Sequence, residues 1–278
     1  MKKIRFLLYA FVLGVVVVSC NTQKEYNVSV YNEKMSCSND YSESTLVFSA
    51  IKNSSSKALT DSVNHWILKY LADSPLYYEE VFESWDSIRE FKGNKDSLLE
   101  AARYYTESKL LKEDDRNEWH QEANIKYFCF DSITIYQNKG LTSVIFFEQT
   151  FTGGAHPNAV TLNATFDNET GHIYDVMEII SDTIELKKMI QQGLKKYFKV
   201  STEEDMRYFH PLTVDRLTDI ESLPLPQASP YFMEDKLVIQ YQRYEIAPYS
   251  AGAPQAIIPL KDCKKILKKN ILKKLQIK

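Results

Sequence analysis

The sequence predicts an α+β fold with two lobes, mainly antiparallel sheet and packed helices. Three observations support this class. Some stretches alternate apolar and polar residues with a period of two, and others place apolar residues at helical spacing. These stretches occur in blocks of one type and do not follow a regular β-α-β order, which disfavours a parallel sheet.

The N-terminal lobe, residues 27–123, combines two strands with a series of helices. Alternation predicts strands at Tyr26–Tyr31 and Thr45–Ile51. Leu59, Val63 and Ile67 recur at helical spacing. The predicted helices of this lobe are Ala58–Ala72, Tyr78–Phe91, Lys95–Leu111 and Asp114–Ala123.

The C-terminal domain, residues 124–278, begins where the apolar period changes to two. Ile125–Tyr136 and Leu141–Phe151 flank a Gln-Asn-Lys-Gly stretch, which predicts a β-hairpin. The remaining predicted elements are a strand at Ala159–Asp167, a helix at Ile184–Phe198, strands at Lys236–Gln242 and Gln255–Ile258, and a last helix at Leu260–Leu275.

The first residues have the pattern of a lipoprotein leader. Three cationic residues precede the uncharged run Phe6–Val18, whose length of about 13 residues is shorter than the ~20 that a membrane helix needs. The run ends at Val17-Val18-Ser19-Cys20, which resembles a lipobox. We expect residues 1–19 to be a signal peptide and residues 20–26 a lipidated cysteine and tether. An uncleaved anchor with an incidental cysteine is the alternative.

This leader places the domain outside the cytoplasm, attached to a membrane through lipid on Cys20, with the outer membrane or the periplasmic face as the expected location. Cleavage would remove three positive charges and change the formal net charge from −3 to −6. An acidic domain disfavours nucleic acid as a partner and suits a cationic protein. Cys37, Cys129 and Cys263 remain, either as free thiols or with one disulfide among them.

Two short segments supply the candidate binding residues. His156 follows Gly153 and Gly154, which allow a sharp turn and place the imidazole on a loop. It is a polar anchor of a ligand cleft or, alternatively, a turn histidine that bonds a neighbouring carbonyl. The second segment, Tyr244–Tyr249, sets Glu245 among tyrosines, as a ligand site or as a strand end before Pro248.

No catalytic or metal-binding motif is found in the sequence. The five histidines are scattered without metal-ligand spacing, and there is no Gly-x-Ser-x-Gly elbow or phosphate-binding loop. We therefore expect no cofactor and no metal, and whether the protein is an enzyme stays open.

Three stretches resemble a known family. They are Phe151–Asn158, Thr165–Asp167 with Thr170-Gly171, and Tyr244–Tyr249 with Gly252 and Ile258-Pro259. In this order they resemble domain of unknown function 3298, over about Ile125–Leu260. The N-terminal lobe resembles its partner, domain of unknown function 4163, more loosely. Relatives include part of the extracytoplasmic region of the lysozyme-binding anti-sigma-V factor and a domain preceding the catalytic domain of a peptidoglycan deacetylase.

The resemblance implies a cell-envelope lipoprotein that acts as a non-catalytic binding module. The expected ligand is a protein, such as lysozyme, or a fragment of cell-wall glycan. The alternatives are an enzyme or accessory factor in peptidoglycan modification, and a structural subunit of an envelope complex.

Overall fold

The computed structural model describes residues 26–72, 95–111, 118–207 and 209–277. The leader with Cys20 and the predicted helix at Tyr78–Phe91 lie outside these residues. The described chain has the mixed α+β architecture that the sequence predicts, with a six-stranded sheet, a three-stranded sheet and several helices. None of its helices combines the length and the apolarity needed to cross a bilayer.

The large sheet has the strand order β1-β2-β3-β4-β5-β6, and all neighbouring pairs are antiparallel except β2 and β3. Its strands are β1 (Val28–Ser38), β2 (Ser42–Ser54), β3 (Tyr127–Asn138), β4 (Leu141–Phe151), β5 (Asn158–Asp167) and β6 (Ile173–Tyr174). Between β2 and β3 the chain forms α1 (Lys57–Ala72), α2 (Lys95–Ser108) and α3 (Glu118–Glu122).

The first hydrophobic core lies between this sheet and helices α1 and α2. Phe48 of β2, Ile67 of α1 and Phe146 of β4 are fully buried there. The aromatic side chains pack edge to face, as Trp66 does on Phe166 at a centroid distance of 6.4 Å. Burying the apolar stripe of two helices on one sheet face is what stabilises this lobe.

The second core is formed by the chain that follows β6. The three-stranded sheet has β8 at its centre, between β7 and β9, and Leu237 and Ile258 of this sheet share the core with Leu186 and Ile190 of α5. The elements are α4 (Val176–Ile179), α5 (Thr183–Tyr197), α6 (Pro211–Thr218), β7 (Tyr231–Met233), β8 (Lys236–Gln240), β9 (Gln255–Pro259) and α7 (Lys269–Leu275), with short 3-10 turns at Glu204–Met206, Tyr249–Ala251 and Leu260–Lys265.

The two cores meet across the large sheet. Ser143 of β4 accepts a hydrogen bond from the Phe232 backbone at 3.0 Å, and Thr165 of β5 donates to the Pro230 carbonyl at 3.3 Å. The sheet continues from β2 to β3 across Ala123, where we expected the domain boundary. That boundary stays a prediction, and most residues of the second core come after β6.

Two predicted elements need correction. The single helix expected at Leu260–Leu275 is broken, because Ile266 and Lys268 form backbone hydrogen bonds with Ser181 and Ile179 that a continuous helix would not allow. Between the predicted helix Ile184–Phe198 and the predicted strand Lys236–Gln242, the prolines at 211, 224, 226 and 230 indicate a loop. This stretch contains helix α6, which begins at Pro211 with the His210 side chain accepting a hydrogen bond from Leu212 N. Proline suits the first helical position because its missing N–H has no helical partner there.

Three charged side chains are buried beneath α2, next to the first core. Lys109, just after the helix, forms an ion pair with Glu148 of β4 at 2.6 Å, and both side chains are almost fully buried. Asp131 of β3 pairs with Glu148 across the strands. Burial, assisted by the charge of Glu148 and opposed by Lys109, raises the pKa of Asp131 to about 7.

The raised pKa of Asp131 predicts that the protein loses stability as pH rises. The folded state holds a proton that the unfolded chain releases near its ordinary value of 3.8. Between about pH 4 and 7, the free energy of unfolding should fall by roughly 1.4 kcal/mol per pH unit from this group.

Urea unfolding at several pH values, with EDTA present, measures this slope. Asp131→Asn should remove this group's contribution to the pH dependence of the free energy of unfolding. Asp40→Asn, at an exposed position, should retain it. Equal pH dependence in the wild type and both variants would contradict the assignment to Asp131.

Candidate functional site

The two segments singled out by the sequence meet at one edge of the molecule. The His156 imidazole, on the loop between β4 and β5, stacks on the Tyr249 ring with a centroid distance of 3.6 Å and an interplanar angle of 15°. The Tyr244 hydroxyl lies 3.3 Å from His156 Nε2. We call His156, Tyr244, Tyr249 and the adjoining Arg243 the aromatic cluster.

Hydrogen bonds fix the tautomer and the orientation of His156. Its Nδ1 lies 3.2 Å from the Pro157 carbonyl oxygen, which can only accept. The proton is therefore assigned to Nδ1, and Nε2 accepts the hydrogen bond from the Tyr244 hydroxyl. These contacts orient the ring and do not connect it to a nucleophile. The hydrogen bond to the Pro157 carbonyl fits the turn-histidine interpretation, and the contacts with Tyr244 and Tyr249 place His156 in the aromatic cluster.

Pro157 and Arg243 hold the Tyr249 side chain in place. Its hydroxyl donates to the Pro157 carbonyl at 2.5 Å and accepts a hydrogen bond from Arg243 Nη1 at 3.0 Å. The Arg243 guanidinium also lies over the Tyr249 ring, 4.8 Å from its centroid. The ring therefore contacts both a histidine and an arginine, and sequence reasoning did not identify this arginine.

The Glu245 carboxylate is engaged by backbone groups of the protein, and its role in a ligand site stays a prediction. Its carboxylate accepts backbone hydrogen bonds from Gln227 at 2.8 Å and from Gln242 at 2.7 Å. The preceding residue, Tyr244, has a φ of 66°, in the left-handed region that side chains rarely adopt. The carboxylate thus ties the loop together while Tyr244 stays 64% exposed.

The two glycines before His156 have different roles. Gly153 has a φ of 83°, and a Cβ there would overlap the imidazole of His120. His120 is itself buried and bonds the Tyr127 hydroxyl at 2.5 Å. Gly154 is exposed, lacks a positive φ and has open space around it. The expectation of a conformational role is therefore supported for Gly153 and wrong for Gly154.

Glutamine side chains attach the second segment to the large sheet. Gln242 accepts a hydrogen bond from Thr161 N at 3.1 Å and donates to Thr161 O at 2.5 Å, as a neighbouring strand would. Gln240 donates to Thr161 Oγ1 at 3.1 Å. The alternation of Gln240, Tyr241 and Gln242 is the sequence signal that could have indicated this polar edge.

A pocket of about 260 Å³ lies beside the Tyr244–Tyr249 loop. Its walls are mostly apolar, with a few hydroxyl and imidazole groups, as in many small-molecule sites. The lining residues are Phe198, Phe209, His210, Thr213, Ala247, Pro248, Ser250 and Ala251.

All three cysteines of the described chain, Cys37, Cys129 and Cys263, are free. Burial raises the pKa of the Cys263 thiol to about 12, and the charge of Asp262 adds to the shift. A thiol of this kind is protonated and unreactive at neutral pH.

Comparisons with known proteins show that the chain forming most of the second core is similar to a known family. Residues 174–261 match the family described as "Protein of unknown function (DUF3298)". A DUF3298 family member from Bacteroides fragilis is similar in structure, with a TM-score of 0.58 and 18% identity over 91% of this chain and 98% of that one. A second, from Pseudomonas aeruginosa, has a TM-score of 0.53 and 15% identity, covering 88% of this chain and 96% of that one. No curated protein matches.

Residues 174–261 are therefore similar to the DUF3298 family, and at these identities the two solved structures establish the fold alone. The matched segment begins at Tyr174, later than the Ile125 that the resemblance suggested. Tyr244–Tyr249 and the adjacent pocket lie inside it, whereas His156 lies outside. The resemblance of the N-terminal lobe to domain 4163 stays a prediction.

The contrast between the two glycines predicts a clear difference in stability. Gly153→Ala should lower the free energy of unfolding by about 1–3 kcal/mol, because the backbone conformation is unfavourable for alanine and its Cβ meets His120. Gly154→Ala is the matched control and should change stability little. Chemical denaturation measures both, and equal stability of the two variants would show that the loop adapts freely.

Proposed function

We propose that this protein is a non-catalytic binding module of the cell envelope and that the aromatic cluster is its ligand site. The observation that supports this most strongly is the fixed His156–Tyr249 stack beside the exposed Tyr244. An aromatic side chain of this size on the surface, next to hydrogen-bonding groups that are already ordered, lowers the entropic cost of binding.

The proposed ligand is a fragment of cell-wall glycan. The apolar C–H face of a sugar ring packs well on the electron-rich face of a tyrosine. The Tyr244 hydroxyl and the Arg243 guanidinium supply partners for sugar hydroxyls and carboxylates. The Arg243 guanidinium can pair with the carboxylate of an acidic muramyl group, whereas the Glu245 carboxylate is already engaged by backbone amides and offers less to a cationic protein.

A cationic protein such as lysozyme is the second candidate. The formal charge of −6 expected after leader cleavage would attract a basic partner and speed its encounter. Such a partner would use acidic surface away from Arg243, so its binding should not depend on the aromatic cluster.

The glycan proposal predicts a specific loss of affinity. Calorimetry of the full chain in detergent, at physiological salt, should show binding of a soluble muramyl disaccharide-peptide. Tyr244→Ala should weaken it at least about tenfold because it removes the exposed stacking ring, and Tyr249→Ala should do so because it removes the ring that orders His156 and Arg243. Tyr244→Phe keeps the ring and should lose less.

Tyr104→Ala is the matched control, since Tyr104 is 43% exposed on α2. It should bind as the wild type does. Affinity that is unchanged by Tyr244→Ala and Tyr249→Ala would remove the aromatic cluster as the site, and lysozyme binding without glycan binding would favour the second candidate.

The proposed location rests on the lipobox before Cys20. Cys20→Ala should abolish lipid attachment and leave either an unprocessed precursor or a chain released from the membrane fraction, because the lipid is the proposed anchor. Fractionation with immunoblotting measures this. Mutant protein of mature size that stays in the membrane would refute lipid anchoring through Cys20.

A further inference from the structure

The last part of the chain carries a group of lysines on its surface. From Cys263 onward the sequence has seven lysines and no acidic residue. On α7, Lys269 and Lys273 lie one turn apart, on the side opposite the buried Ile271 and Leu275. The helix therefore docks through its apolar side and leaves these lysines in solvent. The exposed lysines of this stretch, which we call the lysine face, are Lys264, Lys265, Lys268, Lys269 and Lys273.

The positive charge of the lysine face is not neutralised by ion pairs. None of its lysines forms an ion pair with an acid of residues 26–72, 95–111, 118–207 or 209–277. Glu178 interacts with Lys268 through charge, but its carboxylate is already bound by His172 at 2.9 Å. Since the mature chain has a formal charge of −6 with these lysines included, the protein has a strong charge asymmetry.

The start of the described chain lies at the same end of the molecule as α7. The turn after β5 contacts both, because Glu169 hydrogen-bonds the Tyr26 hydroxyl and Asp167 binds Lys274 of α7 at 2.6 Å. Cys20 precedes Tyr26 by six residues, which span at most about 22 Å when fully extended. A lipid on Cys20 would therefore hold this end of the molecule close to the membrane.

We propose that the lysine face binds the anionic phospholipid headgroups of the membrane that holds the lipid anchor. This rests on the proposed lipid attachment through Cys20. Lysines close to an anionic bilayer are attracted to it over about one Debye length, ~8 Å at physiological ionic strength, and the short tether keeps α7 near that surface. The acidic remainder of the domain is repelled by the same surface, so the two effects together orient the domain.

This orientation directs the aromatic cluster away from the membrane. The ten residues of β5 connect the two ends of the large sheet, with Asp167 at the end near the lysine face and His156 before the opposite end. At ~3.3 Å per residue, the strand separates these ends by about 30 Å. The proposed glycan site thus faces the space beyond the bilayer surface, while the lysines face the headgroups.

Lysine acetylation read by mass spectrometry tests this orientation. The full-length lipidated protein is inserted into preformed vesicles of phosphatidylcholine alone, or of equal amounts of phosphatidylcholine and phosphatidylglycerol. In the mixed vesicles, acetylation of the lysine face should be at least about threefold slower than in phosphatidylcholine, and added salt should remove the difference. Lys126 is exposed just before β3, at the end of the sheet near His156, and should react equally in both.

A double substitution provides a second test with a matched control. Lys268→Gln combined with Lys269→Gln removes two charges of the lysine face and should reduce the protection of its other lysines. Lys126→Gln combined with Lys196→Gln removes two exposed charges elsewhere and should leave that protection unchanged. Reduced protection in the control pair to the same extent would show that net charge, and not this surface, is responsible, and would contradict the proposal.

Vesicle flotation separates failure of this proposal from failure of lipid anchoring. Equal acetylation in both kinds of vesicle, in protein that floats with both, would overturn the proposal, as would equal protection of Lys126. Protection of the lysine face by soluble polyglutamate and not by the mixed vesicles would assign the surface to an acidic protein instead. Protein that floats with neither kind of vesicle would refute lipid attachment through Cys20, and with it this orientation.

Discussion

The Asp167 carboxylate is the interaction on which the arrangement of the two cores depends. It lies at the end of β5 and accepts hydrogen bonds from Lys274 Nζ of α7 and from the Tyr174 hydroxyl, both at 2.6 Å. Burial alone would raise its pKa, but these bonds and two from the Thr170 and Glu169 backbone lower it to about 2. One ionised side chain thus fixes the large sheet, the turn after it and the last helix together.

The proposed ligand site is a consequence of this docking. His156 and Pro157 come from the loop of the large sheet, whereas Arg243, Tyr244 and Tyr249 come from the segment that matches DUF3298. Neither core contains the complete stack by itself. The polar bonds between Gln242 and Thr161 set the distance at which the two sides meet. A binding surface shared by two cores can respond to small changes in how they pack.

Periodicity predicted most of the described elements, because burial of one face is a local property of a strand or helix. The β3–β4 hairpin and α1 follow directly from it. The break in the last helix could not be predicted, since it comes from bonds between Ile266–Lys268 and the distant Ile179–Ser181. The backbone hydrogen bonds that Glu245 accepts from Gln227 and Gln242 depend on how the loop folds, and the pairing of Asp131 with Glu148 depends on strand register. Neither is visible in residue spacing.

The central claim is that a glycan ligand contacts both cores at the aromatic cluster. Mapping of amide chemical shifts by transverse-relaxation-optimised NMR, during titration with a muramyl disaccharide-peptide, tests it most directly. The account predicts that the largest changes occur together at His156, Arg243, Tyr244 and Tyr249, on both sides of the division between the cores. Changes confined to the 260 Å³ pocket or to the far side of the large sheet, with these four residues unaffected, would contradict it.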